Sequence, residues 1–218
     1  LMPLRHRDIH PFSGWDLTTL VDTQATQRAE HPFLVWEPFD EQTQTWTYAR
    51  FAHDTRRLAA GLAKRGIVAG DRVLIHMENC PETVLAWYAC ARLGAVALTT
   101  NARAAGPELA YFADHANARV AITQPKFAEL VNQHCKNIEW LAVTSHDSGE
   151  SAPLGSEPGT DGFVHLFGDA TDAPRVGADP MRDVGIQYTS GTTSRPKGVV
   201  WTHANALWGF RINAAHTG

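Results

Sequence analysis

The sequence predicts an α/β fold with a mostly parallel sheet, flanking helices and a small hairpin near the N-terminus. Between residues 48 and 144, short apolar runs with the length of strands alternate with segments of helical periodicity. Strands that are separated by a helix pair in parallel through crossover connections, whereas a tight turn would make them antiparallel. The chain has 218 residues, of which 44% are hydrophobic, and this is enough to bury a core.

The first predicted elements are a hairpin and a long helix. Two short strands, 33–37 and 44–47, flank the turn-forming segment Pro38-Phe39-Asp40-Glu41 and predict the hairpin. In segment 48–65, apolar or small side chains recur at the i, i+3, i+4 spacing of a helix with one buried face. These residues are Tyr48, Phe51, Ala52, Thr55, Leu58, Ala59 and Leu62. Gly66 and Gly70 are expected to end this helix.

Pairs of strands and helices follow. An apolar run predicts a buried strand over 72–77, and Asn79 as N-cap with Pro81 as first residue predicts the start of a helix. That helix, Pro81–Leu93, is apolar nearly all round, so we expect it to be buried on more than one side and to end at Gly94. The next predicted elements are strand 95–99, helix 106–116, strand 119–123, helix 125–135 and strand 140–144.

Segment 145–160 is polar and rich in glycine, proline and serine, and we expect it to be a surface loop. Residues 163–167 are expected to form a short helical turn. Strands at 184–188 and 199–202 and a helix from about His203 complete the prediction. A histidine at the start of a helix is more often structural than a catalytic base, and we interpret His203 in that way.

The most informative segment connects these last two strands. It combines hydroxyl side chains and glycines with one lysine, a composition that suits a polyphosphate. Backbone N–H groups and hydroxyls can donate to phosphate oxygens, glycine allows close approach of the backbone, and lysine supplies positive charge. We call residues 189–198 the phosphate loop. Its candidate nucleotide-binding residues are Thr189, Ser190, Gly191, Thr192, Thr193, Ser194, Lys197 and Gly198.

The phosphate loop differs from the P-loop of nucleoside triphosphatases. That motif ends in Gly-Lys-Ser/Thr and runs into a helix, whereas here Lys197 precedes Gly198 and a strand follows. Pro196 also removes one backbone N–H ahead of the lysine. Two simpler interpretations stay open: a hairpin rich in serine and threonine without a ligand, and hydroxyls that bond their own backbone in turns.

Residues 188–199 resemble the phosphate loop of the adenylate-forming enzymes, which include acyl-CoA synthetases, peptide-synthetase adenylation domains and luciferases. The matched pattern is Tyr-Thr-Ser-Gly-Thr-Thr-x-x-Pro-Lys-Gly-Val, and Thr-His-x-Asn follows it from residue 202. Ser194 stands where the family usually has glycine. Asn79-Cys80-Pro81-Glu82 and Asn101-Ala102-Arg103 resemble the carnitine/crotonobetaine-CoA ligase branch of the acyl-CoA synthetases.

The resemblance implies the N-terminal portion of the adenylate-forming enzyme fold. Residues 1–218 would be the N-terminal part of the AMP-binding large domain, with the rest of that domain and the C-terminal domain absent. The implied activity is that of an ATP-dependent carboxylate-CoA ligase that forms an acyl-adenylate from a small-molecule carboxylic acid, using ATP, Mg²⁺ and coenzyme A. Lys197 would be the catalytic residue, because its charge can stabilise the departing pyrophosphate. No residue of this chain is assigned to a metal.

Two alternative functions stay open. The protein could be an adenylation domain that loads a carrier protein, which a fused carrier domain or the residues of the acyl pocket would reveal. It would be a non-catalytic nucleotide- or phosphate-binding fragment if the gene ended at residue 218.

Composition argues against several other classes of protein. The net charge of −4 argues against a basic surface that binds nucleic acid. No apolar stretch of the sequence is long enough to span a membrane. The first seven residues are not followed by the apolar segment of a signal peptide. The three cysteines lack metal-ligand spacing, so we expect reduced thiols in a cytoplasmic enzyme. Whether the protein forms a homo-oligomer is left open.

Overall fold

The computed structural model describes residues 11–39, 41–147, 150–151, 160–189 and 195–217. The helices are α1 (Leu17–Gln27), α2 (Tyr48–Lys64), α3 (Pro81–Leu93), α4 (Gly106–His115), α5 (Pro125–His134) and α6 (His203–Thr217). The strands are β1 (Pro32–Trp36), β2 (Gln44–Thr47), β3 (Arg72–His76), β4 (Val96–Thr99), β5 (Ala118–Thr123), β6 (Leu141–Val143), β7 (His146–Asp147), β8 (Glu150–Ser151), β9 (Thr160–Gly162), β10 (Asp183–Thr189) and β11 (Lys197–Thr202). Short 3-10 helices lie at Phe163–Leu166 and Ala170–Asp172.

Within these residues, seven strands form the central sheet in the order β11-β10-β4-β3-β5-β6-β9. Each neighbouring pair is parallel except β10 and β11, which are antiparallel. The sheet starts at β3, and the chain then adds β4 on one side and β5 on the other. In open sheets of this kind, ligands bind beyond the carboxyl ends of the strands. The prediction of an α/β fold with a mostly parallel sheet is confirmed.

Helices cover both faces of the sheet. In β3, Val73 and Ile75 belong to the hydrophobic core cluster that α2 and α3 share, whereas Leu74 belongs to the cluster of α4 and α5. This division follows from the alternation of side chains along a strand. A third, smaller cluster joins Leu17 of α1 to Leu207 of α6 beside the sheet.

Particular residues fix the ends and the packing of the helices. The hydroxyl of Thr47 accepts a hydrogen bond from the backbone N–H of Arg50 at 3.2 Å and so caps α2. Gly94 ends α3 with φ of 73°, a conformation that favours glycine. Gly61 lets α2 approach the 3-10 helix at Phe163–Leu166, since a Cβ at position 61 would lie 1.5 Å from the carbonyl oxygen of Leu166.

Most predicted elements agree with the structure to within two residues. The N-terminal hairpin is confirmed as a separate antiparallel pair in which Val35 of β1 lies opposite Thr45 of β2. The buried helix α3, its glycine stop and the final helix from His203 are also confirmed.

Two expectations are wrong, and the sequence predicts neither one α-helix nor the 3-10 helix at Ala170–Asp172. Segment 145–160 is not wholly a loop, because β7 pairs with β8 and β9 extends the central sheet beside β6. Asn79 does not cap α3: the N-cap is Cys80, which makes no side-chain capping hydrogen bond. The α-helix that is not predicted is α1. It starts after Asp16, whose carboxylate accepts a hydrogen bond from the backbone N–H of Thr19 at 2.7 Å.

Candidate phosphate-binding site

The phosphate loop connects β10 to β11 at the carboxyl edge of the sheet. In this antiparallel pair Tyr188 lies opposite Gly198, and Thr189 lies opposite Lys197. Because β10 is parallel to β4, its last residues reach the same edge as the carboxyl end of β4. The two candidate residues at the mouth of the loop, Thr189 and Lys197, are thus neighbours at the edge where parallel sheets bind ligands.

The middle of the phosphate loop lies outside the described residues, and its assignment stays a prediction. This part comprises Ser190, Gly191, Thr192, Thr193 and Ser194. On either side of it, Thr189, Arg195 and Lys197 are exposed, so an anion can reach all three from solvent. Two positive charges and one hydroxyl therefore surround the mouth of the loop.

Gly198 has a packing role that the sequence does not reveal. We interpret the glycines of the loop at the sequence level as sites of unusual backbone geometry or close approach. A Cβ at position 198 would lie 3.3 Å from both the Cζ atom of Tyr188 and the Cγ2 atom of Ile186. Glycine at this position therefore avoids a tight contact with the Tyr188 ring.

Helix α4 contacts both sides of the phosphate loop, and its residues are absent from the predicted site. Tyr111 reaches Pro196, while Phe112 and His115 contact Tyr188. The spacing of these three side chains marks one face of a helix. Nothing in the sequence relates that face to a loop about 80 residues later, so only the fold brings them together.

His203 is fully buried, as expected of a structural residue. Its Nδ1 atom accepts a hydrogen bond from the backbone N–H of Leu17 at 3.3 Å. Burial lowers the pKa of His203 to about 4, and the nearby Arg182 also lowers it, against the opposing effect of Asp16. The imidazole is neutral at physiological pH and has no access to a substrate, which argues against a role as general base.

A second histidine, His76, lies buried where β3 reaches the carboxyl edge. Its Nδ1 atom is 2.8 Å from the Thr100 hydroxyl, and its carbonyl oxygen accepts a hydrogen bond from the Thr123 hydroxyl at 2.6 Å. The side-chain oxygen of Gln124 accepts from the backbone N–H of Glu78 at 2.9 Å. Burial lowers the pKa of His76 to about 4. These hydrogen bonds connect the ends of β3, β4 and β5 at this edge of the sheet.

A cavity of about 290 Å³ lies between α3, the β10–β11 pair and α6. Its walls are mainly apolar, with a few amide and hydroxyl groups. The lining residues are Trp87, Thr99, Gly185, Gln187, Trp201, Asn205, Ala206, Gly209, Phe210 and Asn213. Cavities of this character accommodate small organic ligands.

Among the described residues, no group of three or more histidine, cysteine, aspartate or glutamate side chains could hold a metal ion. The cysteines are buried free thiols, and burial raises the pKa of Cys80 and Cys90 to about 12 and that of Cys135 to about 11. None is therefore suited to act as a nucleophile. No helix in the described part of the chain is both long and apolar enough to cross a membrane.

The sequence profile of one protein family, described as "AMP-binding enzyme", matches residues 21–217. The chain is 31% identical over 196 residues to the crotonobetaine/carnitine–CoA ligase of Citrobacter koseri. It is 29% identical over 200 residues to the enzyme of the same name from Salmonella agona. Each alignment covers 88% of this chain but only 37% of the relative, so the chain spans little more than a third of their length.

Solved structures of acyl-CoA ligases share the fold. The N-terminal domain of FACL13 from Mycobacterium tuberculosis, solved with an inhibitor, matches 86% of this chain with a TM-score of 0.70 and 29% identity, and 44% of that chain is covered. A protein described as a long-chain-fatty-acid CoA ligase from Rhodopseudomonas palustris matches 90% of this chain with a TM-score of 0.74, and 46% of that chain is covered. Its identity of 20% supports the fold alone.

Proposed function

The chain belongs to the AMP-binding enzyme family, and we propose that it supplies the phosphate-binding part of an AMP-forming carboxylate-CoA ligase. The observation that supports this most is the pairing of Thr189 with Lys197 at the carboxyl edge of the sheet. A hydroxyl and an exposed ammonium group thus lie together at the mouth of a loop rich in further hydroxyls. This arrangement suits the phosphates of ATP.

In the proposed reaction, a substrate carboxylate oxygen attacks the α-phosphorus of ATP, and pyrophosphate leaves with the electrons of the broken P–O bond. The thiolate of coenzyme A then attacks the acyl carbon and displaces AMP. The carboxylate is already a nucleophile, so the first step needs no activating base. Lys197 would stabilise negative charge that develops on pyrophosphate, and the loop hydroxyls would donate to phosphate oxygens. These contributions are positioning and electrostatic stabilisation.

Magnesium enters this proposal as part of the substrate MgATP. The described residues contain no group of acidic or histidine side chains that fits a dedicated metal site. Magnesium commonly binds to substrate phosphates with few protein ligands, so ATP itself supplies much of the coordination.

We propose that residues 1–218 form the first part of a larger AMP-binding domain, completed by a further part of the polypeptide. The matched region covers only 37% of the length of the curated relatives, so most of each relative lies outside it. The outer residues of β11 and α6 are apolar and exposed, as expected of a surface that a further part of the domain covers. They include Val199, Val200, Trp201, Trp208, Phe210 and Ile212.

For the substrate, we propose a small, polar carboxylic acid. The support is the similarity to crotonobetaine/carnitine–CoA ligases over 88% of this chain. A cytoplasmic location, where ATP and coenzyme A are available, is part of the same proposal.

The test uses the complete polypeptide that contains these residues. Exchange of labelled pyrophosphate into ATP is measured with a panel of acids that includes carnitine, crotonobetaine and fatty acids of several lengths. We expect exchange that depends on the acid, and release of AMP when coenzyme A is added. Cleavage of ATP to ADP with every acid would contradict an adenylate intermediate. Transfer of the acyl group to a carrier protein, but not to coenzyme A, would instead indicate a carrier-loading adenylation domain.

A further inference from the structure

Helix α4 contacts both stems of the phosphate loop, which we define as residues 188–189 and 195–198; the first stem includes Tyr188, which directly precedes the loop. On the first stem, the ring of Tyr188 stacks on Phe112 with centroids 4.3 Å apart and an interplanar angle of 22°. The Oη atom of Tyr188 lies 2.6 Å from Nδ1 of His115. Burial, followed by the proximity of Tyr111, raises the pKa of Tyr188, so the phenol keeps its proton and its hydroxyl is available for this hydrogen bond.

The second stem is held by Tyr111, one residue before Phe112. The Oη atom of Tyr111 donates a hydrogen bond to the carbonyl oxygen of Pro196 at 3.1 Å. Proline has no backbone N–H, so this carbonyl is the only main-chain hydrogen-bonding group that the residue offers. The Arg195 guanidinium lies 5.7 Å from the centroid of the Tyr111 ring, within the range of a cation–π contact.

The two stems also contact each other through the same aromatic group. Tyr188 packs against Gly198, where a Cβ atom would approach the ring to 3.3 Å. The rings of Tyr111 and Tyr188 meet edge to face with centroids 5.9 Å apart. Two tyrosines on different elements thus add side-chain contacts to the strand pairing that joins the two ends of the loop.

We infer that Tyr111, with Phe112 and His115 behind Tyr188, is a positioning element that holds both stems of the phosphate loop in the geometry that receives the nucleotide. This rests on the proposed function. Stems that are held in place before the nucleotide binds lose less conformational freedom on binding, so the anchoring should appear in nucleotide affinity. No residue of α4 needs to touch the nucleotide for this effect.

The structural part of the inference is tested by limited proteolysis of the complete protein without nucleotide. Trypsin has one site in the phosphate loop, after Lys197, because the Arg195–Pro196 bond resists it. Tyr111→Phe and Tyr188→Phe each remove one hydroxyl and keep the ring. Each lost hydrogen bond should raise the rate of cleavage after Lys197 about two- to tenfold, since cleavage follows the population of the locally open state.

Tyr48→Phe is the matched control. It makes the same substitution at the start of α2, where the ring contacts Phe33 and His31 away from the loop. Tyr48→Phe should be cleaved after Lys197 at the wild-type rate. The melting temperatures of all three variants should lie within a few degrees of that of the wild type. Unchanged cleavage after Lys197 in both Tyr111→Phe and Tyr188→Phe would overturn the inference, whatever the activity of the protein.

The kinetic part separates positioning from general stability. In Tyr111→Phe, the KM for ATP should rise about two- to tenfold, while the KM for the carboxylic acid stays unchanged. Faster cleavage with an unchanged KM for ATP in an active enzyme would overturn the nucleotide role. If neither the wild type nor any variant forms an adenylate, the proposed function is wrong. The cleavage rates then still decide whether α4 holds the stems.

Discussion

The imidazole of His203, the first residue of α6, accepts a hydrogen bond from the backbone N–H of Leu17, the first residue of α1. The two residues are 186 positions apart, yet both side chains are fully buried in the cluster where these helices meet the sheet. Only a neutral imidazole can accept this bond. This hydrogen bond between the first and last described helices therefore depends on the protonation state of one side chain.

Acid should weaken this contact. In an unfolded chain His203 takes up a proton below its usual pKa of 6.5, whereas burial keeps it neutral in the folded protein down to about pH 4. Between these values the unfolded state binds more protons, so the free energy of unfolding should fall as the pH is lowered. Because one pKa unit corresponds to about 1.4 kcal/mol, we expect a fall on the order of 1–3 kcal/mol. Urea unfolding at pH 7 and pH 4.5 measures the fall.

His203→Asn identifies the source of this loss, because asparagine keeps an acceptor for Leu17 but does not titrate. The variant should lose less stability than the wild type between pH 7 and pH 4.5. His53→Asn is the control, since His53 is exposed on α2. An equal pH dependence in wild type and His203→Asn would show that another group is responsible.

Gly61 should not tolerate even one added methyl group. A Cβ at this position would lie 1.5 Å from the Leu166 carbonyl oxygen and 2.6 Å from its carbon, and both are backbone atoms that cannot rotate away. Gly61→Ala should therefore lower the free energy of unfolding by about 3 kcal/mol or more. Gly209→Ala in α6, where nothing lies within 4 Å, should raise it by about 0.5–1 kcal/mol. Thermal unfolding of both variants decides whether α2 packs as described.

The sequence predicts the parts of the fold that have strong local patterns. The apolar character of Pro81–Leu93 and the glycine after it define α3, since burial on several sides leaves few polar positions. In contrast, α1 has only Leu17 and Val21 buried among its 11 residues, so its hydrophobic pattern is too weak to predict a helix. β9 has three residues and joins the sheet by pairing with β6, a long-range contact that no local pattern encodes.

The candidate site is predicted only in its chemistry. The hydroxyls, glycines and lysine of residues 189–198 indicate a phosphate ligand, and this inference needs only the composition of the segment. The support for the loop is different in kind: the hydrogen bond from Tyr111 to Pro196 joins residues 85 positions apart. Such contacts depend on the order of the strands, and the sequence does not specify that order locally.

Lys197 should matter for the first half-reaction and not for the second. Lys197→Ala removes an exposed ammonium group at the mouth of the loop, so it should leave the fold intact. Loss of one such preorganised charge contact costs about 10²–10³ in rate. We expect that loss in pyrophosphate exchange by the complete protein, and little change in thioester formation from added acyl-adenylate.

Lys64→Ala is the control for this measurement. Lys64 is exposed at the end of α2, so its replacement should leave both steps unchanged. Equal losses in adenylate formation and thioester formation by Lys197→Ala would argue against its assignment to the departing pyrophosphate.

Residues 1–218 expressed alone should neither form an adenylate nor remain monomeric. Under the proposed function, further contacts to the nucleotide and the acid come from parts of the domain beyond this chain, and an open loop gives little affinity because solvent screens its charges. Phe210 and Ile212 of α6 are 45% and 51% exposed and lie next to other exposed apolar side chains. Such a patch promotes association. Sedimentation should detect oligomers that Phe210→Gln/Ile212→Gln reduces, whereas Val68→Gln, at an exposed residue between α2 and β3, should not reduce them. Pyrophosphate exchange with any acid in the panel, or ATP binding that discriminates against GTP, would mean that these residues contain a complete nucleotide site.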